Sequence, residues 1–437
     1  MTSRRNARVR SLMAASLFVA SGAFANGRYP AASQLVFSPS NSQRMLLRTT
    51  FGFLVSSDRG TKWEWVCEGA IGYSGVEDPA VAITNGNTMV AGLSTGLSRS
   101  FDQGCGWDLA GGDLLRDYVI DVSIERNAPA KVAALTSTYK SATDSRKNQI
   151  YLSEDDGRTF APMGNALDGS TLAQTFDIAP SEPNRVYASA FSGNDPTYRG
   201  FLYVSDDRGK TWRTSEVPQI AGEEIAPYIA AIDPADSNRV YVRTRGREKL
   251  HRLLVTEDGG NTFEELFRST NPILGFALVG NEVFVGNVEG LYRAPIGQTT
   301  FEKVSTNQIH CLTENNGEMF ACSAESNGFF LGKSSDRGAT WTSVLRTAEI
   351  AGPMRCMEDA STDRCRYEWP LLQSQLGITP DAGGVDAGNP DGGGDPEPNV
   401  VASGCTSSEQ AQTWNGLGAA MLFIVSAVIT RVRRKAL

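Results

Sequence analysis

The sequence predicts an all-β chain folded as a seven-bladed β-propeller with four-stranded blades. Two observations carry this. A word of the form S-x-D-x-G-x-T-W begins at residues 56, 100, 153, 205, 256 and 334. The segments between its copies read as short strands broken by Gly and Pro turns, and 44 glycines among aromatic and β-branched residues favour sheet over helix.

Internal periodicity is the primary fold signal. The first four steps, 44, 53, 52 and 51 residues, define one unit, and the last step of 78 holds two. A worn copy, YRAPIGQTTF at 292–301, fills the gap: it keeps Gly297, Thr299 and Phe301 and has lost its aspartate. Seven units then cover 31–350. In each, a strand ends in a Pro-containing turn, as in FDIAPSEPNRVYASA (176–190) and AAIDPADSNRVYVRT (230–244). A third strand runs into the word, as in GFLYVSDDRGKTW (200–212), and a fourth follows it. Four short strands repeated seven times, each sheet covered by its neighbours, describe a propeller.

The word joins the third and fourth strands of each unit. Its aspartates, Asp58, Asp102, Asp155, Asp207, Asp258 and Asp336, accept backbone N–H bonds across their own turn. Its glycines, Gly60, Gly104, Gly157, Gly209, Gly260 and Gly338, supply the positive-φ residue. Its last position is always aromatic: Trp63, Trp107, Phe160, Trp212, Phe263 and Trp341, placed to fill the space between blades. Two copies are irregular: SFDQGCGW has Cys105 and Gly106 near its end, and SSDRGTKW displaces its threonine.

The words resemble Asp-box, or BNR, repeats, which occur in sialidases, in xyloglucanases and in sortilin-type receptors. The DP-x-x-x-NRVY grammar is more similar to the sortilin and xyloglucanase branch. The resemblance implies that the boxes lie on the rim away from the ligand face and are structural.

The chain ends carry addresses. Arg4, Arg5, Arg8 and Arg10 precede the apolar run SLMAASLFVASGAF, and Ala23-Phe24-Ala25 sets a cleavage site between Ala25 and Asn26. Residues 1–25 therefore read as a signal peptide and 31–350 as the propeller. Residues 351–378 read as a disulfide-closed cap with a short amphipathic helix. Residues 379–402, dense in Gly, Pro and Asp, read as a solvated stalk. Residues 403–437 hold Ser403-Gly404-Cys405, the apolar run 416–430 and RVRRK. This tail resembles the myxobacterial C-terminal sorting signal, MYXO-CTERM. It implies processing and lipid attachment at Cys405 and display on the cell surface; a single-span tail anchor is the other reading.

Cys405 aside, six cysteines remain, an even number suited to an oxidising compartment. If Asn316-Gly317 is a type I′ turn, Cys311 lies opposite Cys322 at a hydrogen-bonded pair, a less common disulfide position, and a turn differing by one residue is the alternative. Cys356 and Cys365 close a short loop, and Cys67 and Cys105 pair by elimination. Two histidines, His251 and His310, and no CxxC argue against zinc. No metal, cofactor or Gly-rich phosphate loop is expected.

Net charge is −8, and near −12 without the signal's four arginines, which argues against nucleic acid and an anionic membrane surface as partners. Membrane attachment is expected through the C-terminus alone, and a monomer is expected. A sialidase requires arginines converging from different blades, and those of VRTRGREKLHRLL (242–254) share one hairpin. A xyloglucanase-like hydrolase requires paired carboxylates across a groove. Candidate acids on non-box loops include Glu77, Asp78, Asp117, Asp121, Glu223 and Glu224, with nothing to separate them from surface acids. Catalytic residues are thus unassigned. The favoured reading is a non-enzymatic binding module for an extracellular peptide, protein or glycan, with a glycoside hydrolase as the alternative. The expected contact loops are 71–79, 112–120, 137–148, 165–174, 191–200, 218–228 and 243–250.

Overall fold

A computed structural model describes residues 29–357 and 360–378. Seven antiparallel sheets of four consecutive strands span 32–66, 81–109, 119–162, 172–217, 224–269, 275–305 and 311–345, here blades I to VII. The first strand of each blade touches the first strand of the next, including blade VII against blade I, so the ring is closed. The signal peptide with Ala25 and Asn26, the stalk and the tail with Cys405 lie outside the described residues.

Second and third strands are sandwiched between neighbouring blades and buried on both faces. Hence Gly52–Ser56 (GFLVS) and Met89–Leu93 (MVAGL) read as continuous apolar runs rather than alternating ones. Fourth strands are in part short and exposed, as in Asp108–Leu109 and Ala161–Pro162, whereas Trp63–Val66 of blade I is buried. The buried side chains gather into clusters between blades. One packs Ile150 and Met163 of blade III on Phe176 and Ala188 of blade IV, with Trp212 against it.

Every clear copy of the word sits between third and fourth strands, and the turn is the same each time. The hydroxyl of Ser205 donates to Asp207 Oδ1 at 2.8 Å and accepts the Gly209 N–H at 2.7 Å. Asp207 Oδ1 also accepts the Thr211 N–H at 2.8 Å, and Thr211 Oγ1 donates to Oδ2 at 2.8 Å. Ser56, Ser100, Ser153, Thr256 and Ser334 repeat the hydroxyl bridge. The irregular copies lose only the hydroxyl: Asp58 takes the Lys62 N–H and Asp102 the Gly106 N–H. The worn copy lies at the same place, with Gly297 at φ 79° and Phe301 packed between blades V and VI.

The turn holds two left-handed residues, where the sequence reading assigned one. The residue before the glycine is Arg59 (φ 58°), Gln103 (71°), Asp156 (62°), Arg208 (58°), Gly259 (69°) or Arg337 (57°). This geometry aims that side chain at the preceding blade. Arg59 pairs with Glu318 at 2.8 Å, Arg208 with Glu125 at 3.0 Å and Arg337 with Glu282 at 2.5 Å. Asp156 accepts from Thr88 Oγ1 at 2.8 Å, and Gln103 from Arg44 at 2.7 Å. The glycine itself abuts the preceding blade: a Cβ on Gly60 would lie 2.6 Å from Val344 Cγ1, and one on Gly338 2.1 Å from Leu291 Cδ2.

Cys311 pairs with Cys322 across an Asn316-Gly317 turn with both residues at positive φ, and the two half-cystines are register partners. The other two pairings differ from the expectation. Cys67 bonds Cys365 and Cys105 bonds Cys356, instead of Cys67 with Cys105 and Cys356 with Cys365. The reason is the path after blade VII. Ile350–Pro353 adds to blade I as a fifth, parallel strand beside Trp63–Val66, and the helix Cys365–Gln375 follows. The cap is therefore fastened to blades I and II and is not closed on itself. Three disulfides are the chemistry of an exported protein.

Ser205 is fully buried, so Ser205→Ala strands the Gly209 N–H, and a loss of about 1–3 kcal/mol is expected in denaturant unfolding. The Thr262 N–H and hydroxyl hold Asp258 down to about 2, and the Thr340 hydroxyl and N–H do the same for Asp336. A carboxylate depressed in the folded state stabilises above its unfolded value, and that gain is lost as pH falls through the folded one. The unfolding midpoint should therefore drop between about pH 4 and pH 2. A combined Asp258→Asn and Asp336→Asn variant should show a shallower drop.

Candidate functional site

The turns fix the two faces of the ring. They share one rim with the hairpins between first and second strands: the Arg59 N–H donates to Gln43 O and the Arg208 N–H to Asn184 O. The opposite face carries the blade-to-blade links and the second-to-third hairpins, where the expected contact loops fall. Segment 165–174 departs in part. Its first residues run along the outer edge of blade III, where Leu167 bridges Asn148 and the Asn165 N–H reaches Gly209 O.

First strands line the central opening. An inner strand presents unpaired N–H and C=O groups, and side chains of the preceding blade meet them. The Gln34 amide brackets Val81, accepting its N–H at 3.3 Å and donating to its carbonyl at 3.2 Å. Asp121 Oδ2 accepts the Phe176 N–H at 3.0 Å, and Thr175 Oγ1 the Ile229 N–H at 2.8 Å. Ser123 donates to Asp177 Oδ1 at 2.7 Å. A cavity of about 460 Å³ opens along this wall between blades I, III, V, VI and VII, with Gln34, Arg126, Arg243 and Glu314 among its polar lining.

The candidate acids are dispersed and engaged. Glu77 accepts from Ser94 N and Oγ at 3.1 and 2.5 Å. Asp117 is buried and pairs with Lys140 and Lys147 at 3.2 and 2.6 Å. Glu224 is fully buried, with Arg252 Nε and Nη2 at 2.8 and 2.5 Å, the Ile220 N–H at 2.8 Å and the Thr244 hydroxyl. Asp78 and Glu223 are exposed. His251 Nδ1 accepts the Gly246 N–H at 3.2 Å, and burial pushes both His251 and His310 down. Among the described residues no group of three His, Cys, Asp or Glu could hold a metal ion.

Asp121 is set apart by its protonation. Burial pushes its carboxyl up to about 7; the Phe176 and Val122 N–H bonds oppose the rise and Asp177 adds to it. Burial raises Asp177 as well, against the Ser123 bond and Arg126.

The arginines of 242–254 go separate ways. Arg245 is exposed, Arg247 pairs with Asp195, and Arg252 is buried on Glu224 and Glu265. Arg243, which the sequence did not single out, lies in the channel wall. Its Nη1 donates to Ile273 O at 2.8 Å, and its guanidinium stacks 5.1 Å from the centre of the Tyr228 ring. Burial pushes it down, while Tyr228 and Asp121 oppose. Arg48 is its counterpart in blade I, reaching the link to the next blade in the same way. Arg48 makes three bonds there, Nε to Ser33 Oγ at 3.0 Å and Nη1 to the carbonyls of Asp78 and Pro79 at 3.1 and 2.9 Å. Arg243 makes one such hydrogen bond and lines the cavity.

Asp121 yields a pH prediction. A carboxyl raised when folded favours stability at low pH and loses that contribution as pH rises from about 4 through about 7. Asp121→Asn should therefore gain on the wild type across this window in thermal midpoint, with a constant difference above it. A pH-independent difference would contradict the assignment.

Residues 148–327 match the sequence model of a family described as Sortilin-Vps10 (sortilin, neurotensin receptor 3). A vacuolar protein sorting/targeting protein 10 of Candida dubliniensis is 21% identical over 184 residues, covering 40% of this chain and 11% of that protein. A xyloglucanase of a Paenibacillus species is 28% identical over 172 residues, covering 38% of this chain and 15% of that enzyme. The chain thus spans a small part of the length of these relatives. Among solved structures, a GH74 enzyme of Niastella koreensis aligns over 71% of each chain at 12% identity and TM-score 0.31. Sqt1 of Saccharomyces cerevisiae aligns over 72% of this chain and 84% of its own at 12% identity and TM-score 0.47. The middle of the chain is similar in sequence to propellers of the sortilin and xyloglucanase type.

Proposed function

We propose that the protein is an exported, non-enzymatic binding propeller, held to the cell surface through its C-terminus, that receives an extracellular peptide or polysaccharide at its central opening. Its recurring turns are Asp-boxes, and they do no chemistry. The observation that carries the reading is the contrast in the channel wall. Asp121 and Asp177 there accept backbone N–H groups, whereas Arg243 makes a single hydrogen bond and lines an open cavity. Glycoside hydrolysis requires an acid and a nucleophile or base facing one another across a sugar. Glu77, Asp117, Asp121 and Glu224 are each engaged in the fold. A guanidinium as the first polar contact favours acidic ligands.

The test is a titration of the purified protein with acidic and neutral peptides and polysaccharides, followed calorimetrically, beside an assay for released sugar. Binding without turnover is expected. Arg243→Ala should weaken it about 10- to 100-fold, the effect of one charge-assisted hydrogen bond. Sugar release abolished by replacing Asp78 or Glu223 would establish the hydrolase instead.

A further inference from the structure

We infer that the segment after blade VII is a clasp across the ring's seam, and that Cys105–Cys356 is the point at which an external thiol opens it. All four strands of blade I come from the start of the ring and all four of blade VII from its end, so no strand exchange joins them. The seam is held by side-chain packing, with Phe320, Phe330 and Leu345 of blade VII in one cluster with Leu46, Phe53 and Trp63 of blade I. The following segment crosses that seam on the outside. Ile350–Pro353 pairs with the outer strand of blade I, covering an edge that would otherwise be open, and the Met354 N–H donates to Trp65 O at 2.8 Å. Trp369 packs 5.7 Å from Trp65, and Cys365 bonds Cys67.

The segment then reaches blade II. The Trp107 N–H donates to Ser361 Oγ at 3.0 Å, Ser361 Oγ donates to Cys105 O at 3.2 Å, and Cys356 bonds Cys105. The two disulfides differ in access. Cys67 and Cys365 are both fully buried, whereas Cys105 and Cys356 are partly exposed. Exchange begins with a thiolate reaching a sulfur, so access orders the two. A dithiol attacks one sulfur of Cys105–Cys356 and releases the other as thiolate. Its second thiol then resolves the mixed disulfide. The protein gains two electrons and two protons, and the dithiol leaves as a disulfide. Blade II is released first, while Cys67–Cys365 and the parallel strand still hold blade I.

The experiment treats the native protein with dithiothreitol, alkylates at intervals and maps the labelled cysteines by mass spectrometry, with amide hydrogen exchange on the same samples. Cys105 and Cys356 should label at least ten-fold faster than Cys67 and Cys365. Exchange should rise first at 104–107, 354–357 and 360–364, and at the seam of blades I and VII only after the second disulfide breaks. Blades III to VI should keep their protection throughout. A Cys105→Ser, Cys356→Ser variant should reproduce the first stage without reductant; if it does not fold, the kinetics on the native protein decide. Equal labelling of the two disulfides would overturn the inference. So would a seam no more exposed than blades III to VI after full reduction.

Discussion

The ring depends on a hydroxyl that bonds in two directions. In each clear repeat a buried serine or threonine at the end of the third strand donates to the aspartate and accepts the glycine N–H. That pair of bonds forces two successive left-handed residues, and the consequences extend beyond the turn. The glycine, lacking Cβ, lets the neighbouring blade approach within van der Waals contact. The residue before it is swung toward the same neighbour, where Arg59, Arg208 and Arg337 find glutamates. One local motif thereby sets hairpin geometry, blade spacing and polar pairing between blades. Its aspartate is exposed in most copies and turned away from the channel, which suits a structural role better than catalysis.

Cohesion around the ring comes from two radii. At the outer rim the turns join each blade to the one before it. At the inner wall Gln34, Asp121 and Thr175 join first strands by satisfying their open edges. The seam between blades VII and I has the outer tie, Arg59 with Glu318, and the apolar cluster, and beyond these the crossing segment with its two disulfides. These span 298 and 251 residues, so they constrain the unfolded chain strongly, a contribution independent of any contact in the folded seam.

What the sequence disclosed follows from how local each cause is. Blade number, strand count and the place of the word are encoded within about a dozen residues at a time, and all seven copies fall at the expected position. The Cys311–Cys322 register followed from one Asn-Gly turn. The serine's part was visible in the repeated word and went unassigned, because a serine ending a strand has many bland explanations. The second left-handed residue carries no composition signal: arginine, glutamine, aspartate and glycine all occupy it. The pairing of Cys67 and Cys105 is not legible in the sequence because their partners arrive from the far end of the chain. Elimination among sequence neighbours cannot see a strand that returns to blade I.

Arg243 carries no sequence signal of its own for a related reason, and its place in the ring is set by contrast with Arg48. Arg48 and Arg243 occupy second strands four blades apart, and both reach the carbonyl chain just before the next blade's first strand. Were that reach purely structural, both should saturate it. Arg48 does, helped by Ser33 and two successive carbonyls. Arg243 meets the single carbonyl of Ile273, and the Tyr228 ring beneath it offers a face and no acceptor for the remaining N–H groups. A guanidinium cannot shed its charge to relieve burial, so its open donors favour an anionic partner. Such a partner would have to come from the channel. The same wall ties Asp121 and Asp177 to backbone N–H groups, whereas its arginine meets a single carbonyl, and that asymmetry is the physical basis for reading the opening as a receptor site rather than a catalytic one.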